Sequence, residues 1–341
     1  MTPRKTSLSA IAIAPPQADV ADVAARVLAQ FGLQGDYLPL VSERDQNFRL
    51  TTSDGRRFVV KVTSSLEDSA VTDFQIAALL HLEREDNLPL PRVVRALDGK
   101  TSGTIDVGGS ACRLRIVDFV EGQPLDEFDM MPDMAGRFGA ALAMFDLALG
   151  GFSHPGQSPL LLWDMQRTGE VRHLLDFIDD EDLRRRVETV IDDFDARVAP
   201  GMDRMRAQVI HSDANPENVL LCDSGIGFID FGDMMRAPLV FEVAIAASYL
   251  RAEKPFDLIV PFIEAFHAVL PLQNDELQLL FDLIRARLAT SITLFYWRLR
   301  ERDPDDEYRN KLLATEQSAI AFLVALDELG RERFLAGFDQ L

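Results

Sequence analysis

The stretch "VIHSDANPENVLLCDSGIGFIDFGD", residues 209–233, breaks a run of apolar strand formers twice, each time at a carboxylate or an amide. Val219–Cys222 reads as a short strand, Asp223-Ser224-Gly225 as a turn, and Ile226–Ile229 as the returning strand of a hairpin. The strands match in length, so Asn218, just before the first, and Asp230, just after the second, are expected side by side at the open end. Asp213 lies upstream of Asn218 in a loop that Pro216 keeps from regular structure. Asp213, Asn218 and Asp230 are therefore expected to converge.

An amide and a carboxylate are hard oxygen donors, and magnesium needs few of them, leaving its other positions to phosphate oxygens and water. Asn218 and Asp230 are thus candidate magnesium ligands. Asp213 is then free to orient and deprotonate a hydroxyl that attacks a γ-phosphate. The alternative is a polar hairpin end without chemistry, because turns favour Asp and Asn.

Residues upstream bear on that choice. Residues 18–31 have helical spacing, closed by Gly32 and Gly35. Asn47–Thr52 and Arg57–Val62 should pair antiparallel across a Ser53-Asp54-Gly55 turn. Residues 68–86 return to helical spacing, and the prolines of "LPLPRVVRA" (88–96) impose an extended connection. Thr104–Asp106 and Ala111–Val120, about a Gly108-Gly109 turn, complete a small sheet. Lys61 is the one cation in the apolar run from Phe58 to Val62. Alone it reads as a snorkelling edge-strand lysine.

At Glu121-Gly122-Gln123-Pro124 the strand should break, and the chain beyond it is mostly helical. Met134–Leu149, Gln166–Ile178, Asp182–Val198, Leu239–Leu250, Phe256–Val269 and Asp275–Arg302 carry amphipathic spacing. The expected division is a flexible leader over 1–17, an N-terminal lobe over 18–117, a hinge over 118–124 and a helical C-terminal lobe over 125–341, which contains the hairpin region 209–233. A strand lysine, a helix, a connecting strand, a helical lobe, then H-x-D-x-x-x-x-N and D-F-G, is the ordered parts list of a kinase. The expected fold class is α+β: a protein-kinase-like two-lobed fold, with a small antiparallel sheet and a helix in one lobe and a mainly α-helical second lobe.

Composition narrows the partners. With 55 acidic and 35 basic residues the formal charge is −20, so nucleic acid should be repelled. No apolar run reaches the length of a membrane span, so no membrane partner is expected. Cys112 and Cys222 are far apart and lack metal-ligand spacing, which argues for a reducing cytoplasm and against a disulfide framework.

"HSDANPENVL" together with "FIDFGD" resembles the aminoglycoside phosphotransferase and choline kinase superfamily, from about Leu33 to the C-terminal helices. "SERDQNFRL", "LLWDM", "FIDFGD…LVFEVAIA" and "RDPDDEY" resemble its hydroxylysine kinase branch. The resemblance implies that Asp213 is the catalytic base, that Asn218 and Asp230 hold Mg2+, and that Lys61 contacts the α- and β-phosphates of ATP or GTP. It also makes Asp118, Phe119 and Val120 the hinge that meets adenine, and "SERDQNF", with Ser42 and Asn47, the loop over the phosphates.

The sequence departs from the family at three points. Ser212 stands where the family often has glycine, and the phosphate loop lacks glycine. Gln75 occupies roughly the position of a glutamate that would pair with Lys61, with Asp73 or Glu83 as substitutes. His211 reads as a structural imidazole that bonds the loop, and Glu242 as a tie between the loop after Gly232 and its helix.

Only "DMMRAPL" separates Gly232 from the helical "VFEVAIAASYL", which leaves no platform for a peptide. The acceptor should be a small hydroxylated amine or amino acid, and the resemblance favours one like hydroxylysine. Asp233, Trp163 and Asp164 are candidate acceptor contacts, with Arg287, Tyr296 and Trp297 on a neighbouring helix, and Asp233 reads equally as a second metal-proximal carboxylate or a helix cap. The competing readings are an aminoglycoside phosphotransferase and a catalytically silent nucleotide-binding module.

Overall fold

In the computed structural model the described residues are 15–42, 44–301 and 307–341, the side chains of 301 and 307–315 excepted. Most of the expected leader, residues 1–14, and most of "RDPDDEY", residues 302–306, lie outside them. The chain forms two compact units. The first runs to Gly122 and takes in Phe152–Leu162 and Gly227–Ile229; the second comprises Gln123–Gly151, Trp163–Ile226 and Asp230–Leu341.

The two short additions to the first unit have identifiable anchors. Phe152 stacks on Phe74 at 6.1 Å, and Gly156 lies so close to the chain that a Cβ there would stand 2.1 Å from the Ala70 carbonyl oxygen. The Phe228 N–H donates to the Pro89 carbonyl at 3.1 Å.

The first unit begins with α1 (Val20–Phe31), capped by the Asp19 carboxylate, which accepts from the Ala21 N–H, and closed by Gly32 at φ 71°. Strands β1 (Gly35–Leu40), β2 (Asp45–Thr52) and β3 (Arg57–Thr63) come next, then α2 (Ser69–Leu82), β4 (Gly103–Val107) and β5 (Ser110–Asp118). They form one antiparallel sheet in the order β1-β2-β3-β5-β4.

Side chains alternate across a strand, so β3 sends Phe58, Val60 and Val62 to one face and Lys61 to the other. The first face packs with Leu50, Leu114 and Ile116 against Val23, Val27 and Phe31 of α1. Each such side chain, fully buried, contributes about 1.5–3 kcal/mol. Because β3 is central, Lys61 is not an edge-strand lysine.

The second unit carries more strand than the sequence suggests. Gln123–Pro124 is not a simple break: as β6 it pairs with β8 (Val219–Cys222), Gln123 opposite Leu221 and Pro124 opposite Leu220. Beyond the turn runs β9 (Gly225–Phe228), whose Gly227 and Phe228 fall in the first unit. A separate ladder joins β7 (Ala207–Ile210) to β10 (Met235–Pro238), so the strands bracket the quoted stretch.

The helices of this unit are α3 (Pro132–Ala148), α4 (Glu181–Arg197), α5 (Leu239–Ala247), α6 (Phe256–Val269), α7 (Asn274–Glu301), α8 (Glu307–Leu329) and α9 (Arg331–Ala336). The expected helix over 166–178 is instead a set of 3-10 turns spanning Met165–Phe177, broken at Arg167 (φ −113°, ψ 18°). Gly169 weakens helix there, and its bare Cα lies against Asp195, whose Oδ1 would be 2.7 Å from a Cβ.

Candidate active site

The β7–β10 ladder joins the two ends of the stretch that carries the site. Leaving β7, the chain passes His211, Ser212 and Asp213. His211 is fully buried between the rings of Phe145 (5.7 Å) and Phe231 (5.3 Å), and its Nδ1 accepts from the Asp213 N–H at 3.3 Å. Ser212 turns the chain through φ 65°, a left-handed conformation that favours glycine. Its N–H donates to Glu242 Oε2 at 2.9 Å. Glu242, fully buried on α5, thus ties down the loop before Asp213 rather than the loop after Gly232.

Asp213 is held from several sides. Asn218 Nδ2 donates to its Oδ2 at 2.8 Å and to its backbone carbonyl at 3.0 Å. Asn215 Nδ2 donates to Oδ1 at 3.1 Å, and Asn215 Oδ1 accepts from the N–H groups of Glu217 and Asn218, which closes the turn. Arg287 Nη2, from α7, stands 3.8 Å from Asp213 Oδ1. The Asp213 side chain keeps a quarter of its surface exposed. Burial pushes its carboxyl up to about 8, with the negative charges of Asp233 and Asp230 adding to the rise and Arg287 opposing it.

Asp230 ends the hairpin in the left-handed region (φ 57°), and its Oδ1 accepts from the Gly232 N–H at 3.3 Å. Phe231 turns inward against His211 and Phe145, while Asp230 is exposed. Asp213, Asn218, Asp230 and Asp233 thus share one neighbourhood in the second unit.

No group of three or more His, Cys, Asp or Glu side chains with metal-binding geometry occurs among the described residues. The donors available are one amide and separated carboxylates. Because Asn218 spends its Nδ2 on Asp213, its Oδ1 is the atom turned to other partners. Such a set suits a hard divalent cation that completes its shell with phosphate and water.

Trp163 lies between two guanidinium groups, Arg287 at 5.5 Å and Arg298 at 5.3 Å from its ring centre. Asp164 caps the 3-10 segment: its Oδ1 accepts from the Gln166 N–H at 2.9 Å and from Gln166 Nε2 at 3.2 Å.

In the first unit, Lys61 faces Asn47 on one side and Arg115 on the other. β2 starts at Asp45, so Asn47 belongs to the strand, and of the expected phosphate loop only Ser42 to Arg44 precede it, with Glu43 outside the described residues. Gln75 Oε1 accepts from Arg115 Nη1 at 2.8 Å, and Asp73 pairs with Arg113 at 2.7 Å. A carboxylate near Lys61 is that of Asp45, 3.9 Å from Nζ and 3.0 Å from Arg115 Nη2. At the end of β5 the Asp118 N–H donates to the Arg92 carbonyl and the Phe119 N–H to the Arg57 carbonyl, while Arg57 covers the Phe119 ring at 5.1 Å. Val120 lies next in the connection to β6.

Sequence reasoning missed Asp45 and Arg115. Their signal was the sheet register, which sets Arg115 across from Lys61, but the pairing of β3 with β5 cannot be read locally.

Comparison with known proteins places this geometry in context. Hydroxylysine kinase of Danio rerio is 26% identical over 332 residues, covering 92% of each chain. Hydroxylysine kinase of Mus musculus is 27% identical over 351 residues, covering 94% of this chain and 92% of that one. Among solved structures, an amicoumacin kinase in complex with AMP-PNP and Ca2+ superposes with a TM-score of 0.69 at 15% identity, covering 89% of this chain and 93% of that one. At that identity the likeness speaks for the fold, which is the kinase-like α+β fold expected. No helix among the described residues is long and apolar enough to cross a membrane. The phosphotransferase enzyme family matches residues 36–280, which takes in the sheet, Lys61 and the whole Asp213–Asp233 neighbourhood, and the chain belongs to that family.

Proposed function

We propose that this ATP-dependent phosphotransferase moves the γ-phosphoryl group to the hydroxyl of a small amino acid or amine, with a hydroxylysine-like acceptor favoured. The observation that carries the reading is the double hydrogen bond from Asn218 Nδ2 to Asp213, which orients a base and an amide oxygen together. Residues 18–117 form the nucleotide lobe in this reading, 118–124 the hinge and 125–341 the acceptor lobe.

Asp213 takes the proton of the acceptor hydroxyl as that oxygen attacks the γ-phosphorus, and the bond to the ADP oxygen breaks. Its burial raises its proton affinity, and Arg287, Asn215 and Asn218 fix its direction. Lys61 holds the α- and β-phosphates beneath the loop that starts at Ser42. Asp118 and Phe119 spend their N–H groups within the protein, which leaves Val120 as the hinge amide for the purine of ATP or GTP. Asn218 and Asp230 would hold magnesium, which neutralises the charge that develops across the β- and γ-phosphates.

The similarity to hydroxylysine kinases over more than nine-tenths of the chain supports this acceptor class. A cytoplasmic setting belongs to this reading on the strength of the sequence alone, which carries only Cys112 and Cys222. The test is magnesium-dependent ATP consumption with hydroxylysine, homoserine, choline, ethanolamine and a set of aminoglycosides. Turnover confined to aminoglycosides would overturn the acceptor assignment, and no turnover with any of them would overturn the activity.

A further inference from the structure

Asp146 places a carboxyl on an apolar helix face. On α3 it follows Phe138 and Leu142 at helical spacing, which turns it to the buried side, and it is fully buried. Neither of its side-chain oxygens has a hydrogen-bond partner. Glu242 of α5 is equally buried, and its Oε1 has no partner either. Burial pushes both carboxyls up, and the negative charge of Glu242 adds to the rise at Asp146.

Two contacts set Asp146 beside the loop that carries Asp213. Its neighbour Phe145 packs on the His211 ring at 5.7 Å, and Gln208 of β7 donates from Nε2 to the Asp146 carbonyl at 2.7 Å. The other charged group that acts on Asp146 is Arg206, just before β7, and Glu276 of α7 already binds its guanidinium at 2.7 and 2.8 Å. His211 turns its Nδ1 to the Asp213 N–H. Helix α6 meets α3 through Phe262, which lies against Gly139 and Phe138. The group to which Asp146 answers is therefore Glu242.

Two buried carboxyls that repel each other retain a proton between them, and its place follows from the donors available. Glu242 has the N–H groups of Ser212 and His211 and the charge of Arg287, all of which favour its ionised form. Asp146 has no such donor. The proton thus belongs on Asp146, where it turns an acceptor-only group into a donor. Ser212 keeps its left-handed φ of 65° only while its surroundings fix it, and a charged Glu242 is the stronger acceptor for its N–H.

We propose that Asp146 is a positioning residue for phosphoryl transfer: it carries a proton that it presents to Glu242, so that Glu242 keeps its charge for the Ser212 and His211 N–H groups and holds the turn into Asp213. The proposal rests on the reading of Asp213 as the base that meets the acceptor hydroxyl. Asp146 touches neither nucleotide nor acceptor in it and acts through Glu242 alone.

The test pairs infrared spectroscopy with ATP consumption by the full-length protein in the presence of magnesium and hydroxylysine. At neutral pH the wild type should show the stretch of a protonated carboxyl that is missing from Asp146→Asn. Asp146→Leu, which offers Glu242 no donor, should lose about tenfold to hundredfold in kcat with KM for ATP unchanged. Asp146→Asn, whose amide donates without titrating, should restore most of that kcat and hold it to higher pH than the wild type, whose kcat falls once Asp146 gives up its proton. Full kcat in Asp146→Leu, Asp146→Asn as impaired as Asp146→Leu, the same high-pH fall in Asp146→Asn as in the wild type, or an unaltered carboxyl band would overturn the proposal. The band and the Asp146→Asn profile decide it even if Asp146→Leu fails to fold. A wild type that consumes no ATP overturns the reading of Asp213 instead, and the band by itself then decides whether the proton lies on Asp146.

Discussion

Lys61 and Arg115 stand opposite each other in the register of β3 and β5, two cations on one face of a central strand pair. Like charges so placed repel, and Asp45 relieves the repulsion by lying 3.0 Å from Arg115 and 3.9 Å from Lys61. Arg115 is further fixed by Gln75 from α2 and by the Thr63 hydroxyl at 2.9 Å. A carboxylate that can position the lysine thus sits on the same sheet. Asp45→Asn should cost about 1.5–3 kcal/mol of stability and raise KM for ATP more than it lowers kcat. Denaturant unfolding and steady-state kinetics check this; unchanged stability and KM would show that Asp45 positions nothing.

Asp213→Asn keeps the shape of the side chain but cannot accept a proton. The expected outcome is a fall in kcat of about 10²–10⁴, with nucleotide affinity nearly intact. Single-turnover phosphoryl transfer and nucleotide titration separate the two. Full turnover in the variant would remove Asp213 from the chemistry.

How far the sequence reveals this site depends on the range of the interactions involved. The hairpin at Val219–Phe228 and the closing Gly32 of α1 are written in residues a few positions apart, so local spacing finds them. Lys61 is legible because strand alternation lifts it off the core face. The β7–β10 ladder is not, since each strand has four residues and the pair is separated by the whole catalytic stretch. Asp45 and Arg115 belong to the same class: their meaning lies in a pairing between distant strands. The 3-10 turns at Met165–Phe177 fail for another reason, because apolar spacing does not tell an α-helix from a tighter one broken at Arg167.

Buried carboxyls give the protein an unusual dependence on pH. Burial raises Asp213 and Glu316 to about 8 and Glu242 to about 7, and lifts the fully buried Asp146 well above its ordinary range. The unfolded values lie near 4. A raised folded value means that the folded state binds protons more tightly than the unfolded chain, so this stabilisation is complete below about pH 4 and is lost as pH rises through about 7 to 8. The melting temperature of the protein without ligands should therefore fall between about pH 5 and pH 8. Glu242→Gln should flatten part of that slope. A melting temperature that rises across the interval would contradict the assignment.

Gly139 sets how closely α3 and α6 approach. A Cβ at this position would stand 2.1 Å from the Phe262 carbonyl oxygen and 2.9 Å from its carbon. No rotamer change relieves such a clash, because the obstacle is backbone. Alanine ordinarily favours a helix over glycine by about 1 kcal/mol, so propensity alone predicts that Gly139→Ala stabilises α3. Packing predicts the opposite: the helices must separate, disturbing the Phe138–Phe262 contact at 5.1 Å and costing about 1–3 kcal/mol. The second effect is the larger, and chemical denaturation should record a net loss for Gly139→Ala and a greater one for Gly139→Val. Since α3 also carries Phe145 and Asp146, beside His211 and Glu242, the separation should reach the loop that holds Asp213. A fall in kcat accompanying the loss of stability is therefore expected, and a stabilised Gly139→Ala with full activity would show that the two helices do not meet at this residue.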